Sequence, residues 1–224
     1  MVRINTRNWK FKYFIERIFC IISLFIVLPV IILLIVFQKF FDPVGPIFYT
    51  SQRLGRHGKS FRLYKFRTMK VGAPPVLSND NKLITLENDK RLTFFGRFLR
   101  LGFDELPQIF NILKGDMSLI GPRPDMPNEL VGYNEREKLR LCVLPGITGL
   151  TQILDGRSLH NRDNYELDVR YVLYSNFILD FKILVFTLPY SFGFKKIGQK
   201  YLKNFMYEIP CERTLAEISK LNSH

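Results

Sequence analysis

Residues 18–37 run for twenty positions without a single charge. At ~1.5 Å rise per residue, such a helix is long enough to cross a hydrocarbon core of about 30 Å. No small-residue cleavage site follows it, which argues against a secretory signal. Two features disturb a simple span. Pro29 sits near the middle, where it removes a backbone donor and tends to kink or break a helix. Both flanks are also basic: Arg3, Arg7, Lys10, Lys12 and Arg17 come before, and Lys39, Arg53, Arg56 and Lys59 after. The positive-inside tendency places both ends in the cytoplasm. A hairpin bent at Pro29, with arms of about 16 Å reaching half way into the bilayer, satisfies both observations. An ordinary span is the alternative, because transmembrane helices tolerate proline.

The remaining charge is lopsided. Against 20 Asp+Glu stand 33 Lys+Arg, a formal net charge of +13, which favours an anionic partner: nucleic acid, acidic lipid or a phosphorylated substrate. Cys20, Cys142 and Cys211 are isolated, as are His57, His160 and His224. That scatter argues against a disulfide framework, a structural zinc site or a Ser-His-Asp site. No P-loop, no G-x-G-x-x-G fingerprint and no D-x-D metal motif occurs.

Residues 43–46 (PVGP) separate the apolar run from the rest. Two β-rich runs, 47–52 and 60–66, flank Gly55 and Gly58 as a hairpin. Residues 71–89 read as a surface loop and 94–99 as a short helix. Asp104 is a suitable N-cap for a helix whose Leu106, Ile109, Phe110 and Leu113 form one buried face, stopped by Gly115. Further helices are expected over 128–141 and 165–176, with a turn over 145–149 between them. Residues 177–190 are apolar but carry Asp180 and Lys182, so they make a poor span. In the tail, Lys195, Lys196, Lys200 and Lys203 interleave with apolar residues, as in a basic amphipathic helix on an anionic membrane.

The chemistry concentrates in residues 104–124, DELPQIFNILKGDMSLIGPRP. Asp104 and Glu105 are adjacent at a helix start, where backbone N–H groups and the helix dipole lower a carboxyl pKa. An ionised carboxylate suits a nucleophile or a Mg²⁺ ligand, and Glu105 can accept a proton. A plain helix cap is the bland alternative. Arg91, Arg97 and Arg100 precede the pair. Arg123, between Pro122 and Pro124, carries a guanidinium on a stiffened loop, suited to a phosphate or equally to a surface turn. Lys65 and Arg67 interleave with Tyr64 and Phe66, and Arg157 follows Gly156; each is a weak signal alone.

Taken in order, the Pro29-broken apolar segment, TSQRLGRHGKSFRLYKFRTM (50–69), the 104–124 block, LPGITGLTQ (144–152) and ELDVRYV (166–172) resemble the bacterial sugar transferases. These are the monotopic polyprenyl-phosphate phosphoglycosyl transferases. The resemblance covers about residues 10–188, while the tail from 191 matches nothing in the pattern. It implies an α+β, mostly helical fold: an N-terminal re-entrant membrane hairpin (1–40) and a compact cytoplasmic catalytic domain (41–190) with a small β-hairpin and interfacial amphipathic helices; the basic amphipathic tail (191–224) is read from its own residues. It further implies transfer of a sugar 1-phosphate from a UDP-sugar to undecaprenyl phosphate at the cytoplasmic face of the inner membrane, with release of UMP. Asp104 matches the family's nucleophile and Mg²⁺ ligand, and Glu105 completes the dyad. Lys65, Arg67, Arg100, Arg123 and Arg157 are the implied substrate-binding cations, and Pro29 the hairpin break. Anionic lipids and downstream membrane glycosyltransferases are the implied partners, with no nucleic acid. Leu28 stands where relatives often carry serine, Leu150 occupies a tryptophan position, and Arg100 lies one residue nearer Asp104 than in the family's pattern. The rival readings are a membrane-tethered nucleic-acid-binding or regulatory protein and an inactive scaffold of the same fold.

Overall fold

The computed structural model describes residues 8–74, 89–153 and 161–191. The apolar run becomes the centre of α1 (Trp9–Phe41), 33 residues long. It is the one described helix long and apolar enough to cross a membrane. Asn8 caps it, its side chain accepting from Phe11 N at 3.1 Å. The expected hairpin is present: β1 (Phe48–Leu54) pairs antiparallel with β2 (Ser60–Phe66), Arg53 opposite Phe61 and Tyr49 opposite Lys65. The short helix α2 (Phe94–Leu99) is capped by Thr93.

Between α2 and α3 (Ile109–Lys114) lies a 3₁₀ segment, Phe103–Gln108. Here the sequence expectation of one α-helix beginning at an Asp104 cap is corrected. Gly102, at φ 115°, is the cap residue, and Asp104 lies within the first turn. Pro107 has no N–H to give, so the α-helical ladder starts only after it. Gly115, at φ 89°, ends α3 as expected. The helix expected over 128–141 is two 3₁₀ segments, Pro127–Gly132 and Glu137–Cys142. The turn expected over 145–149 contains a strand, β4 (Gly146–Thr148), parallel to β3 (Ser118–Ile120). A short α4 (Leu150–Ile153) follows, then α5 (Asn161–Tyr174) and α6 (Phe177–Ser191). The basic tail falls outside the described residues apart from the last residue of α6.

One apolar core joins Cys20, Ile31 and Leu34 of α1 to Phe61, Leu63 and Phe66 of the hairpin, Leu99 of α2 and Ile112 of α3. Each such side chain contributes about 1.5–3 kcal/mol on burial. A second core packs Ile120 and Ile153 against Leu167, Tyr171 and Ile183. The first turns of α1 are fastened by polar contacts as well. Lys12, 2% exposed, pairs with Glu16 and donates to Ser118 Oγ and Ile120 O, both at 2.8 Å. Asp180 lies 3.5 Å from the same ammonium and accepts from Tyr171 Oη at 2.7 Å. Burying that ammonium is tolerable only because its donors and charge are matched. The network holds β3, and β3 leads directly into the Gly121–Pro124 loop.

Candidate active site

The acidic dipeptide projects from the first turn of the Phe103–Gln108 segment. Burial pushes the Asp104 carboxyl above its ordinary value; Lys65 opposes this, Glu105 adds to it, and Arg100 opposes it. The expected lowering by the helix end is therefore outweighed by desolvation. Glu105 accepts from Lys65 Nζ at 2.5 Å in a partly exposed ion pair. β2 supplies that lysine, and the antiparallel register puts Arg53 of β1 on the same face of the hairpin.

Opposite the dipeptide lies the Arg123 loop. Its backbone is seated by close approach of glycines: a Cβ on Gly146 would collide with Gly121 N, and one on Gly149 with Gly121 O. Gly121 N donates to Thr148 O at 3.0 Å, and Gly146 N to Pro122 O at 2.9 Å. Beneath it, Arg140, 4% exposed, donates Nη2 to Arg123 O at 2.9 Å and pairs with Asp125 and Asp168. The Arg123 backbone is thus held while its side chain stays exposed. Lys65, Glu105, Gln108, Arg53, Arg123 and Gln152 line one shallow cavity. A carboxylate pair beside a cation-walled hollow can bind a phosphate ester and offer it an oxygen nucleophile.

A family model described as bacterial sugar transferase matches residues 7–193. The chain belongs to the bacterial sugar transferase family. It is 46% identical over 145 residues to an uncharacterized sugar transferase, EpsL, of Bacillus subtilis, covering 64% of this chain and 69% of that one. It is 42% identical over 154 residues to the undecaprenyl-phosphate galactose phosphotransferase of Salmonella typhimurium, covering 62% and 32%. With the UDP-glucose:undecaprenyl-phosphate glucose-1-phosphate transferase of Xanthomonas campestris it shares 36% over 203 residues, covering 83% and 38%. The chain thus spans about a third of the length of the two relatives whose names carry an activity.

Of the cations implied by that family resemblance, Lys65 and Arg123 meet at the cavity with Glu105. Arg100 lies on the Asp104 side, its Nε 3.5 Å from Thr68 Oγ1. Arg67 is placed elsewhere. It directly follows β2, its N–H still donating to Ile47 O at 2.9 Å, and its guanidinium is taken up by backbone carbonyls, donating to Pro46 O, Met69 O and Asp42 O at 2.7–3.2 Å. It fastens the end of α1, where Gln38 Nε2 donates to Arg67 O at 2.9 Å. Arg157 lies outside the described residues. Arg53, Gln108 and Gln152 are cavity residues that sequence reasoning did not select; for Arg53 the hairpin register was the available signal. Among the described residues no group of three or more His, Cys, Asp or Glu side chains could hold a metal. The Asp104–Glu105 pair does fit Mg²⁺ in the mode where one or two carboxylates are joined by substrate phosphate oxygens and water.

Proposed function

We propose that the chain transfers a sugar 1-phosphate from a UDP-sugar to undecaprenyl phosphate, releasing UMP and forming undecaprenyl diphosphate-sugar. The observation that carries this reading is the meeting of Glu105, the immediate neighbour of Asp104, with Lys65, Arg53 and Arg123 around one cavity. An Asp104 oxygen attacks the β-phosphorus and the bond to the α-phosphate oxygen breaks, so UMP leaves and an aspartyl-phosphosugar remains. The lipid phosphate oxygen then attacks the same phosphorus, and the Asp104–phosphorus bond breaks. Glu105 takes up any proton on the incoming phosphate, with Lys65 holding its carboxylate in place. Bound Mg²⁺ would neutralise the diphosphate charge. The names of the Salmonella and Xanthomonas relatives support the substrate pair. Purified protein with undecaprenyl phosphate and a panel of UDP-sugars should release UMP with at least one donor; release with none sinks the reading.

The same proposal places the enzyme on the cytoplasmic face of the inner membrane, against anionic lipids and within reach of downstream glycosyltransferases. Its α1 re-enters rather than spans. Buried residues of α1 fall at Lys12, Tyr13, Glu16 and Cys20, then at Ile31, Leu34 and Gln38, with none over residues 21–30. A straight rod of ~50 Å resting on a rounded body touches at its middle and overhangs at its ends. Along α1 the fully buried positions sit toward both ends, while Leu24, Val27 and Val30 between them are only partly buried against the core, a pattern that supports re-entry at Pro29. In a cysteine-free background, Asn8→Cys and Asp42→Cys should both resist an impermeant maleimide applied to intact spheroplasts. Labelling of either from outside would refute re-entry.

A further inference from the structure

Gln108 has no assigned role, yet it lines the cavity, is 3% exposed as a residue and makes no side-chain hydrogen bond to the described residues. Unlike Gln38 Oε1, which is enclosed without a partner among the described residues, the Gln108 amide opens onto the cavity, where a ligand can complete its hydrogen bonds. The 3₁₀ geometry explains its position. Residues three apart eclipse in such a helix, so Gln108 stands in line with Glu105, and both face the cavity.

Two guanidiniums share that cavity. Among the described residues, neither Arg53 nor Arg123 makes an ion pair; Arg53 Nε reaches only Ser51 Oγ, at 3.4 Å. Lys65 is engaged by Glu105, so the cationic capacity left for an incoming anion resides in the arginines. Burial, then the neighbouring Arg123, push the Arg53 pKa down, and this outweighs the opposing pull of Tyr49, Asp125 and Glu129.

We propose that Arg53, Arg123 and Gln108 form a phosphomonoester subsite that holds the phosphate of the departing nucleotide. The inference rests on the transferase reading above. A nucleotide and a polyprenyl phosphate both offer a phosphomonoester, and the surroundings favour the nucleotide. Asp104–Glu105 lies between two unlike surfaces. On one side Phe103 stacks on Phe98 at 5.1 Å, and Phe94 and Leu101 are exposed, a surface suited to a lipid chain. On the other is the polar cavity, with two guanidiniums and an amide. In an in-line displacement at the phosphorus next to Asp104, the leaving phosphate lies away from the nucleophile, and the cavity begins beyond Glu105.

The test uses the full chain in detergent or nanodiscs, with UMP titrated directly and KM measured separately for each substrate. Arg53→Met and Gln108→Leu should each weaken UMP binding by about 10-fold or more, the usual scale for a charge-assisted hydrogen bond. They should raise KM for the UDP-sugar and leave KM for undecaprenyl phosphate within about two-fold of wild type. Arg53→Lys should recover part of the affinity and, by preserving the charge, separates binding from folding. Unchanged UMP affinity in both loss variants overturns the subsite. Weakened lipid-phosphate use with intact UMP binding overturns the nucleotide assignment. UMP binding that the variants abolish, in a wild type that turns over no UDP-sugar, overturns the transferase reading and leaves the subsite standing.

Discussion

Asp104→Asn should lose turnover by a factor on the order of 10⁴ or more while still binding UMP, because the amide keeps the shape and removes the attacking oxygen. Wild-type protein incubated with a donor labelled in its β-phosphate and without lipid should acquire the label on Asp104; the variant should not. Sustained turnover by the variant would end the covalent mechanism. The same residue sets the pH profile. Attack requires the ionised carboxylate, and burial places its pKa above the ordinary value. Activity should therefore fall, as pH is lowered, at a higher pH than an exposed aspartate near ~3.9 would give. Lys65 is the largest influence pulling that value down, so Lys65→Met should shift the acid limb upward as well as reduce rate. A limb that stays in place would show that another group controls it.

Much of this frame was legible because the signals were local. The uncharged run became the middle of α1, the glycine-flanked β-rich runs became the hairpin, and Gly115 stopped α3. The errors have physical causes. Pro107 and the left-handed Gly102 turned an expected α-helical start into a 3₁₀ segment, and with it moved the cap away from Asp104. β3 and β4 are three residues each, too short for alternation to show, and pair across a long separation in sequence. Lys12 belongs, by sequence, to the basic flank before the apolar run. Its partners Ser118 and Asp180 are far along the chain, so nothing local announced that it would be buried. The acidic dyad and Arg123 were readable from residue type, whereas Arg53 and Gln108 emerged only from register and helix geometry.

Loss of Arg140 should be the most damaging change outside the reacting groups. Its guanidinium joins Asp125 and Asp168, donates to Tyr133 Oη at 2.7 Å and to Arg123 O at 2.9 Å, and stacks over the Tyr165 ring at 4.7 Å. Arg140→Met leaves two carboxylates near each other without their cation, which should cost about 3–5 kcal/mol at pH 7.5. The penalty should shrink toward pH 5. Burial, opposed by Arg140, already raises the Asp168 carboxyl to about 6. A group raised in the folded state favours folding at low pH, and that contribution is lost as pH climbs through the raised value. Without Arg140 the carboxyl rises further, so at pH 5 it is neutral and repulsion fades. Arg140→Met combined with Asp168→Asn should recover part of the loss, since the second change removes a stranded charge. Because Arg140 also anchors the Arg123 backbone, the single variant should raise KM for the UDP-sugar even where it remains folded. Equal destabilisation at pH 5 and 7.5, measured by denaturant unfolding, would mean that packing around the guanidinium, and not charge, holds this loop.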